Sequence, residues 1–319
     1  MVIRHLVRAL IVSLVYFSEG GATEKIRIGA LTLGTLNWEL SAMKAAGLDR
    51  TEALDLEIQE LANPEAGRIA LLGKTVDLIV SDWIWVAQQR SEGRDFSFVP
   101  FTKSAGALMV APQSPIQTLK DLKGARLGVA GGSLDKNYVL LKAAFLKDTQ
   151  QDLTQAAQVS FGAPPLLSQS LEKRNLDAVL TYWNAATKLE AKGYRKLLNG
   201  EDIQRQLGIG GGIPTLGYVF SETWARAHPQ ALASFLTATH KASERICASD
   251  GAWQAIAAIT QEADADVQKA LRKGYCDSRR GSLTPKEKAS AKALYQWLEP
   301  QSQTTGTLPE LQEGVFWTH

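Results

Sequence analysis

Four short stretches carry the side chains with chemical potential: Thr35, Trp38 and Glu39; Ser81, Asp82 and Trp83; Gly132, Ser133 and Asp135; and Tyr182, Trp183 and Asn184. Each sets hydroxyls, carboxylates or rings beside what reads as the end of a strand, and none pairs a nucleophile with a base. The chemistry on offer is noncovalent recognition. In Leu127-Gly128-Val129-Ala130-Gly131-Gly132-Ser133 a buried strand runs into glycines that permit a turn with positive φ, and Ser133 is placed to cap a helix beginning near Asp135. Such a nest of backbone donors commonly receives a polar or anionic group, and an ordinary strand-to-helix turn is the alternative. Trp38, Trp83, Tyr182 and Trp183 offer more aromatic surface than a bare inorganic anion needs and suit an organic, planar or cationic ligand. Packing of a helix onto a sheet is the plainer use of Trp38 and Trp85. Glu39, Asp82 and Asp135 stand at helix starts, where capping and dipole compensation are the ordinary role. Two of them turned into a cleft would repel an anion and favour an amine or a metal chelate.

Catalytic motifs are missing where they would be recognisable. Gly67 to Thr75 approaches a phosphate loop, but five residues separate its glycines where four are needed, and it precedes a strand instead of following one. Gly208 to Ile213 lacks the last glycine of the dinucleotide fingerprint and has no strand before it. His228, His240 and His319 have no partners at zinc spacing, and no Gly-x-Ser-x-Gly elbow occurs. No cofactor and no metal site are expected. A net charge of +2 without a basic tract speaks against nucleic acid as a partner.

The stretches need elements to hold them at strand ends, and the pattern supplies these. Ile26–Leu33, Leu54–Ile58, Val76–Val80 and Phe96–Phe101 read as strands, with helices from about Asn37, Pro64 and Ser81-Asp82 between them; the helix after Pro64 carries Ile69, Leu71 and Leu72. The rhythm restarts after residue 105 with Ala105–Ala111, a helical turn at Thr118–Leu122, Leu127–Ala130, a helix to Leu146, Val159–Phe161, a helix opened by Pro164-Pro165, and Asp177–Thr181. Leu216–Phe220 reads as a strand crossing back, and from Glu222 the chain is almost wholly helical. This predicts an α/β protein of two lobes, each a mostly parallel sheet flanked by helices, with a helical C-terminal region on the first lobe. In such sheets ligands lie beyond the carboxyl ends of the strands, where all four stretches fall. The chain is expected to cross between lobes near residues 105–110 and 213–218, so that the lobes close on a ligand by a hinge.

The first 22 residues read as a secretory signal: basic from Met1 to Arg8, apolar from Ala9 to Phe17, and small at Gly20-Gly21-Ala22. The apolar run is too short to span a bilayer, so an exported, periplasmic protein that is not membrane-spanning is expected. In an oxidising compartment Cys247 and Cys276 invite a disulfide, with two buried thiols on neighbouring helices as the alternative.

Several runs are similar to a known family. Ala46-Gly47-Leu48, Leu54-Asp55-Leu56-Glu57-Ile58 and Leu72 to Asp82 resemble the first lobe of the nitrate/sulfonate/taurine group of ABC-transporter substrate-binding proteins, which includes binders of thiamin precursors. Ser114-Pro115-Ile116 through Gly124, Leu127-Gly128-Val129, Leu176 to Leu180 and Leu189 to Tyr194 resemble its second lobe. The resemblance implies a type II-like periplasmic binding protein that captures a small organic ligand and delivers it to an ABC permease. The implied division is a signal peptide over 1–22, a first lobe over 23–106 plus 216–319, and a second over 107–215. Where many members carry an aromatic-Glu-Pro-Tyr run, this chain has Tyr182-Trp183-Asn184-Ala185, so the resemblance names no ligand, and anion, amine and metal chelate stay open. A ligand-loaded accessory or sensor protein is an alternative. A second is an enzyme on the same fold; the thiamin-pyrimidine synthases that resemble it need a cysteine-rich run that this chain lacks.

Overall fold

In the computed structural model of the protein, residues 23–210, 212–279, 281–298 and 310–318 are described. The expected signal peptide lies outside them. Alternation of strand and helix gives the first lobe β1 (Glu24–Leu31), α1 (Leu36–Ala45), β2 (Leu54–Leu61), α2 (Pro64–Leu72), β3 (Leu78–Asp82), α3 (Trp83–Ser91) and β4 (Phe96–Thr102). The second follows with β5 (Gly106–Val110), β6 (Arg126–Ala130), α4 (Lys136–Thr149), β7 (Gln158–Gly162), α5 (Pro164–Glu172), β8 (Ala178–Tyr182), α6 (Trp183–Ala191) and β9 (Arg195–Asn199). The chain then returns through β10 (Leu216–Ser221) to the helices α7 (Pro229–Ala248), α8 (Ala265–Ser278) and α9 (Pro285–Leu298).

The sheets have the orders β2-β1-β3-β10-β4 and β7-β6-β8-β5-β9. Both are mixed. β1 runs parallel to β2 and β3, and β6 to β7 and β8, whereas β10 and β5 are antiparallel to both of their neighbours. The antiparallel strand of each sheet is the one that arrives directly from the other lobe. It fits only by close approach: a Cβ on Gly217 of β10 would come within 2.3 Å of the Val99 carbonyl oxygen, so glycine is required there.

The lobes share one local device. Arg27 on β1 donates from its backbone N–H and its Nε to Asp77 Oδ2, at 2.8 and 3.1 Å, and from Nη1 to the Lys74 carbonyl. Arg126 on β6 makes the same set with Asp177 and the Arg174 carbonyl. Lys74 and Arg174 both take a left-handed φ, ending the turns after α2 and α5 in the manner of a helix C-cap. A clasp from β1 or β6 to the residue just before β3 or β8 thus fixes the register of these strands, whose far ends carry Asp82 and Tyr182.

β9, followed by a short helix over Gly200–Gln206, was not expected. Its sequence, Arg195-Lys196-Leu197-Leu198-Asn199, is that of a half-exposed edge strand with a single neighbour, and shows no apolar alternation. The helical tail also differs from expectation. α7 packs on α1 as a first-lobe helix would, but α8 packs against α6 of the second lobe, so the tail leans on both. Cys247 on α7 and Cys276 on α8 are joined, with sulfurs 2.02 Å apart and a separation of 29 positions in sequence.

The tail is also pinned at Glu39. This carboxylate is fully buried; it accepts hydrogen bonds from Tyr218 Oη on β10 at 2.8 Å and from Tyr275 Oη on α8, and pairs with Arg279 at 2.9 Å. Arg279 also lies over the Phe101 ring and donates to the Phe101 carbonyl. Burial pushes the Glu39 carboxyl upward, opposed by Arg279 and the two phenols.

Three outcomes follow for urea unfolding. Glu39→Ala leaves Arg279 buried without its counter-charge and is expected to cost about 3–5 kcal/mol. The raised carboxyl means that the folded state keeps its proton to higher pH than the unfolded chain. This group's contribution therefore falls as pH rises from the ordinary carboxylate range through the raised value, a slope that Glu39→Gln removes. Replacing both cysteines with serine is expected to cost about 3–4 kcal/mol in the chain-entropy account; an unchanged midpoint would mean that the crosslink does not constrain the unfolded chain.

Candidate functional site

The carboxyl ends of β1, β3 and β8 converge on a cavity of about 80 Å³ between the lobes. Its apolar lining comes mainly from the first lobe, through Leu31, Leu36, Leu61, Ile79, Phe101 and Leu216. Its polar lining comes from both: Thr35, Arg68, Ser81 and Asp82 from the first lobe face Asp135, Lys136, Tyr182 and Asn184 of the second, with Trp183 beside them. That is room for a small solute, well below the few hundred Å³ of a drug-sized pocket.

Asp82 ends β3 and begins α3. One carboxylate oxygen accepts the Trp85 backbone N–H at 2.8 Å, the capping role, and the other accepts Arg68 Nη2 at 2.7 Å. Arg68 comes from α2, is 8% exposed, and donates also from Nε to Ser81 Oγ at 3.4 Å. Its guanidinium stands over the Trp85 ring, and Nη1 reaches across the cleft to the Leu134 carbonyl at 3.5 Å. All three guanidinium nitrogens therefore meet protein acceptors.

In the second lobe Asp135 caps α4, one oxygen accepting the Asn137 N–H at 2.9 Å. Ser133, expected as the cap, is exposed, because the turn extends two residues further than the glycines suggest. The other Asp135 oxygen lies 3.8 Å from Lys136 Nζ, whose side chain is 7% exposed. Lys136 also stands 6.0 Å from the centre of the Tyr182 ring. Burial pushes the Asp135 carboxyl upward, Lys136 pulls it back and Asp82 adds to the rise. Burial, with Asp135 and Glu65 adding to it, pushes the Tyr182 phenol far above its usual value, so the hydroxyl keeps its proton. Asn184 Nδ2 donates to the Leu33 carbonyl at 3.3 Å, a second link across the cleft.

The sequence-nominated residues thus divide. Thr35, Ser81, Asp82, Asp135, Tyr182, Trp183 and Asn184 line the cavity. Trp38 and Trp83 are buried elsewhere: Trp38 makes edge contacts with Trp183 and Trp253, and Trp83 packs near Phe316. Glu39 faces its tyrosines and arginine. Gly132 backs onto Glu65 of α2, and neither it nor Ser133 lines the cavity. Sequence reasoning missed Arg68 and Lys136. Pro64 starts α2 so that Gly67, Arg68, Ala70 and Leu71 face inward; of the apolar residues expected on this helix, Leu71 is buried while Ile69 and Leu72 are exposed. Lys136 is adjacent to the capping aspartate, and an acid-base dipeptide at a helix start beyond a strand was its one signal. Among the described residues no cluster of His, Cys, Asp or Glu is arranged to hold a metal ion, and no helix is long and apolar enough to cross a membrane.

The architecture has counterparts among solved structures. A protein from Bordetella bronchiseptica RB50 superposes with a TM-score of 0.73 at 17% identity, over 92% of this chain and 94% of that one. The alkanesulfonate-binding protein SsuA from Xanthomonas axonopodis pv. citri, solved with MOPS bound, gives 0.69 at 19% identity over 93% and 99%. The periplasmic aliphatic sulphonate-binding protein SsuA from Escherichia coli gives 0.68 at 19% identity over 92% and 92%. At these identities the likeness is one of fold. No curated protein sequence matches the chain. Residues 40–250, well over half of the sequence and reaching from within α1 past β10, match the family described as NMT1/THI5 like; the chain belongs to that family.

Proposed function

We propose that this is the solute-binding protein of an ABC transporter: it captures a small organic molecule between its lobes and hands it to a membrane permease. The observation that carries this is the position of the cavity. It lies where the strand ends of both sheets meet, and its polar groups come from both lobes, so a solute held there touches both and closure is coupled to binding. The moving units are residues 23–106 with 216–319, and residues 107–215, hinged where the chain crosses between the sheets. Thr35, Ser81, Asp82, Asp135, Tyr182, Trp183 and Asn184, together with Arg68 and Lys136, contact the solute. The protein acts in the periplasm after removal of residues 1–22, and performs no chemistry on its cargo. The likeness to sulfonate-binding proteins supports the transport role.

A thermal-shift measurement on the mature protein tests this. A true ligand at 100 times its dissociation constant adds about 2.7 kcal/mol, visible as a midpoint raised by several degrees. Tyr182→Ala is expected to abolish the ligand-dependent rise while leaving the ligand-free midpoint within a few degrees, because the ring is only partly buried and borders the cavity. A ligand whose stabilisation survives Tyr182→Ala would bind elsewhere and overturn the assignment. A loaded protein that associates with a periplasmic enzyme or receptor in place of a permease would favour the accessory role.

A further inference from the structure

The charges around the cavity cancel in pairs, and this bears on what it can hold. Arg68 and Asp82 are 2.7 Å apart and 10% and 6% exposed at their side chains. With Nη2 on Asp82, Nε on Ser81 and Nη1 on the Leu134 carbonyl, three of the five Arg68 N–H donors are engaged, and its charge is already answered by Asp82. The second pair differs. Lys136 Nζ is 3.8 Å from Asp135, beyond hydrogen-bond distance, and its ammonium makes no hydrogen bond among the described residues although the side chain is more than nine-tenths buried. Both residues line the cavity. One Asp135 oxygen is held by the helix cap, and the other, Oδ2, faces Lys136 across this loose ion pair. An ammonium and a carboxylate oxygen, each on a side chain more than nine-tenths buried and neither hydrogen-bonded to the other, therefore stand side by side at the cavity. Their charges already answer each other.

We propose that the cavity selects a solute of no net charge, one that presents a donor to Asp135 and an acceptor to Lys136 side by side, as an amide, a urea or a small zwitterion does. This rests on the solute-binding role proposed above. A bare anion accepted by Lys136 would leave Asp135 buried against it without compensation, and a bare cation accepted by Asp135 would do the same to Lys136. Uncompensated burial of a single charge is strongly unfavourable even after relaxation. Glu65, beside Gly132 and not among the residues lining the cavity, adds negative potential at its edge, so the anion is the worse of the two charged cases. An amide edge or a zwitterion satisfies both groups and adds no charge, and its carbon skeleton meets Leu31, Leu61, Ile79 and Phe101. The apolar lining favours a compact body over an extended polar one.

The test is calorimetric titration of the full mature protein with size-matched probes of differing charge. Methylurea and 2-pyrrolidinone are neutral, β-alanine is zwitterionic, propanesulfonate and nitrate are anionic, and propylammonium is cationic. The same series is run on Asp135→Asn, which keeps a good helix cap, and on Lys136→Gln. A neutral or zwitterionic probe is expected to bind the unaltered protein best. Asp135→Asn is expected to shift preference towards the anions, and Lys136→Gln towards the cation, each by at least about tenfold. Tighter binding of propanesulfonate or nitrate than of every uncharged probe would overturn the charge rule and leave solute binding standing. So would variants whose charge preference matches the unaltered protein. If no probe binds any of the three proteins, the solute-binding role fails and this inference fails with it. Ligand-free midpoints of both variants, read by thermal shift, separate loss of binding from loss of fold.

Discussion

A single buried ion pair, Arg68 with Asp82, fixes the geometry on which the cavity depends. Asp82 is at once the last residue of β3, the cap of α3 and the counter-charge to α2, so one carboxylate ties three elements of the first lobe together. Arg68 extends the tie to the second lobe through the Leu134 carbonyl. Neither charge can be left alone at this burial, because removing one partner of such a pair costs about 3–5 kcal/mol. The pair therefore holds α2 against the sheet and shapes one wall of the cleft, and because it is internally neutral it does so without attracting an ion.

The two lobes repeat a scaffold and diverge at its working end. In both, an arginine–aspartate clasp registers one strand, β3 or β8, and the helix after that strand begins with tryptophan, Trp83 in one lobe and Trp183 in the other. Preceding them are Asp82 and Tyr182. Where the first lobe has a carboxylate bound to its own arginine, the second has a phenol kept protonated by burial and by neighbouring carboxylates. Trp83 is buried in the first lobe's core, whereas Trp183 is half-buried at the cleft against Trp38. One wall is thus rigid and charge-paired, and the other presents rings and hydrogen-bonding groups. The tail braces this arrangement, since Glu39 joins α1 to β10 and α8, and Lys188 of α6 donates to the carbonyls of Thr260 and Gln261.

Much of this was legible because strands covered on both faces leave continuous apolar runs, as at Leu78–Val80, and because Ser81-Asp82 and Gly131 punctuate their ends. Those ends are where the cavity lies. The inward turn of Arg68 was hidden, since Ile69 and Leu72 suggested a different buried face and only the start of α2 at Pro64 settles the rotation. The fate of Glu39 was hidden for another reason: its partners Tyr218 and Tyr275 lie 179 and 236 residues away, and local sequence cannot distinguish a capping carboxylate from one enclosed by distant phenols. β9 escaped because an edge strand half-open to water needs no apolar alternation.

The central claim is that the lobes close on a solute, and the distance between them tests it most directly. Both native cysteines are joined to each other, so spin labels at Ile69→Cys on α2 and Leu166→Cys on α5, both exposed positions, would report that distance alone. Pulsed dipolar spectroscopy on the ligand-free protein is predicted to give a broad distribution reaching beyond the separation in this structure, collapsing to a narrow one at that separation when ligand is added. A single narrow distance, unchanged by a ligand that demonstrably binds, would contradict the account and describe a preformed cavity without a hinge.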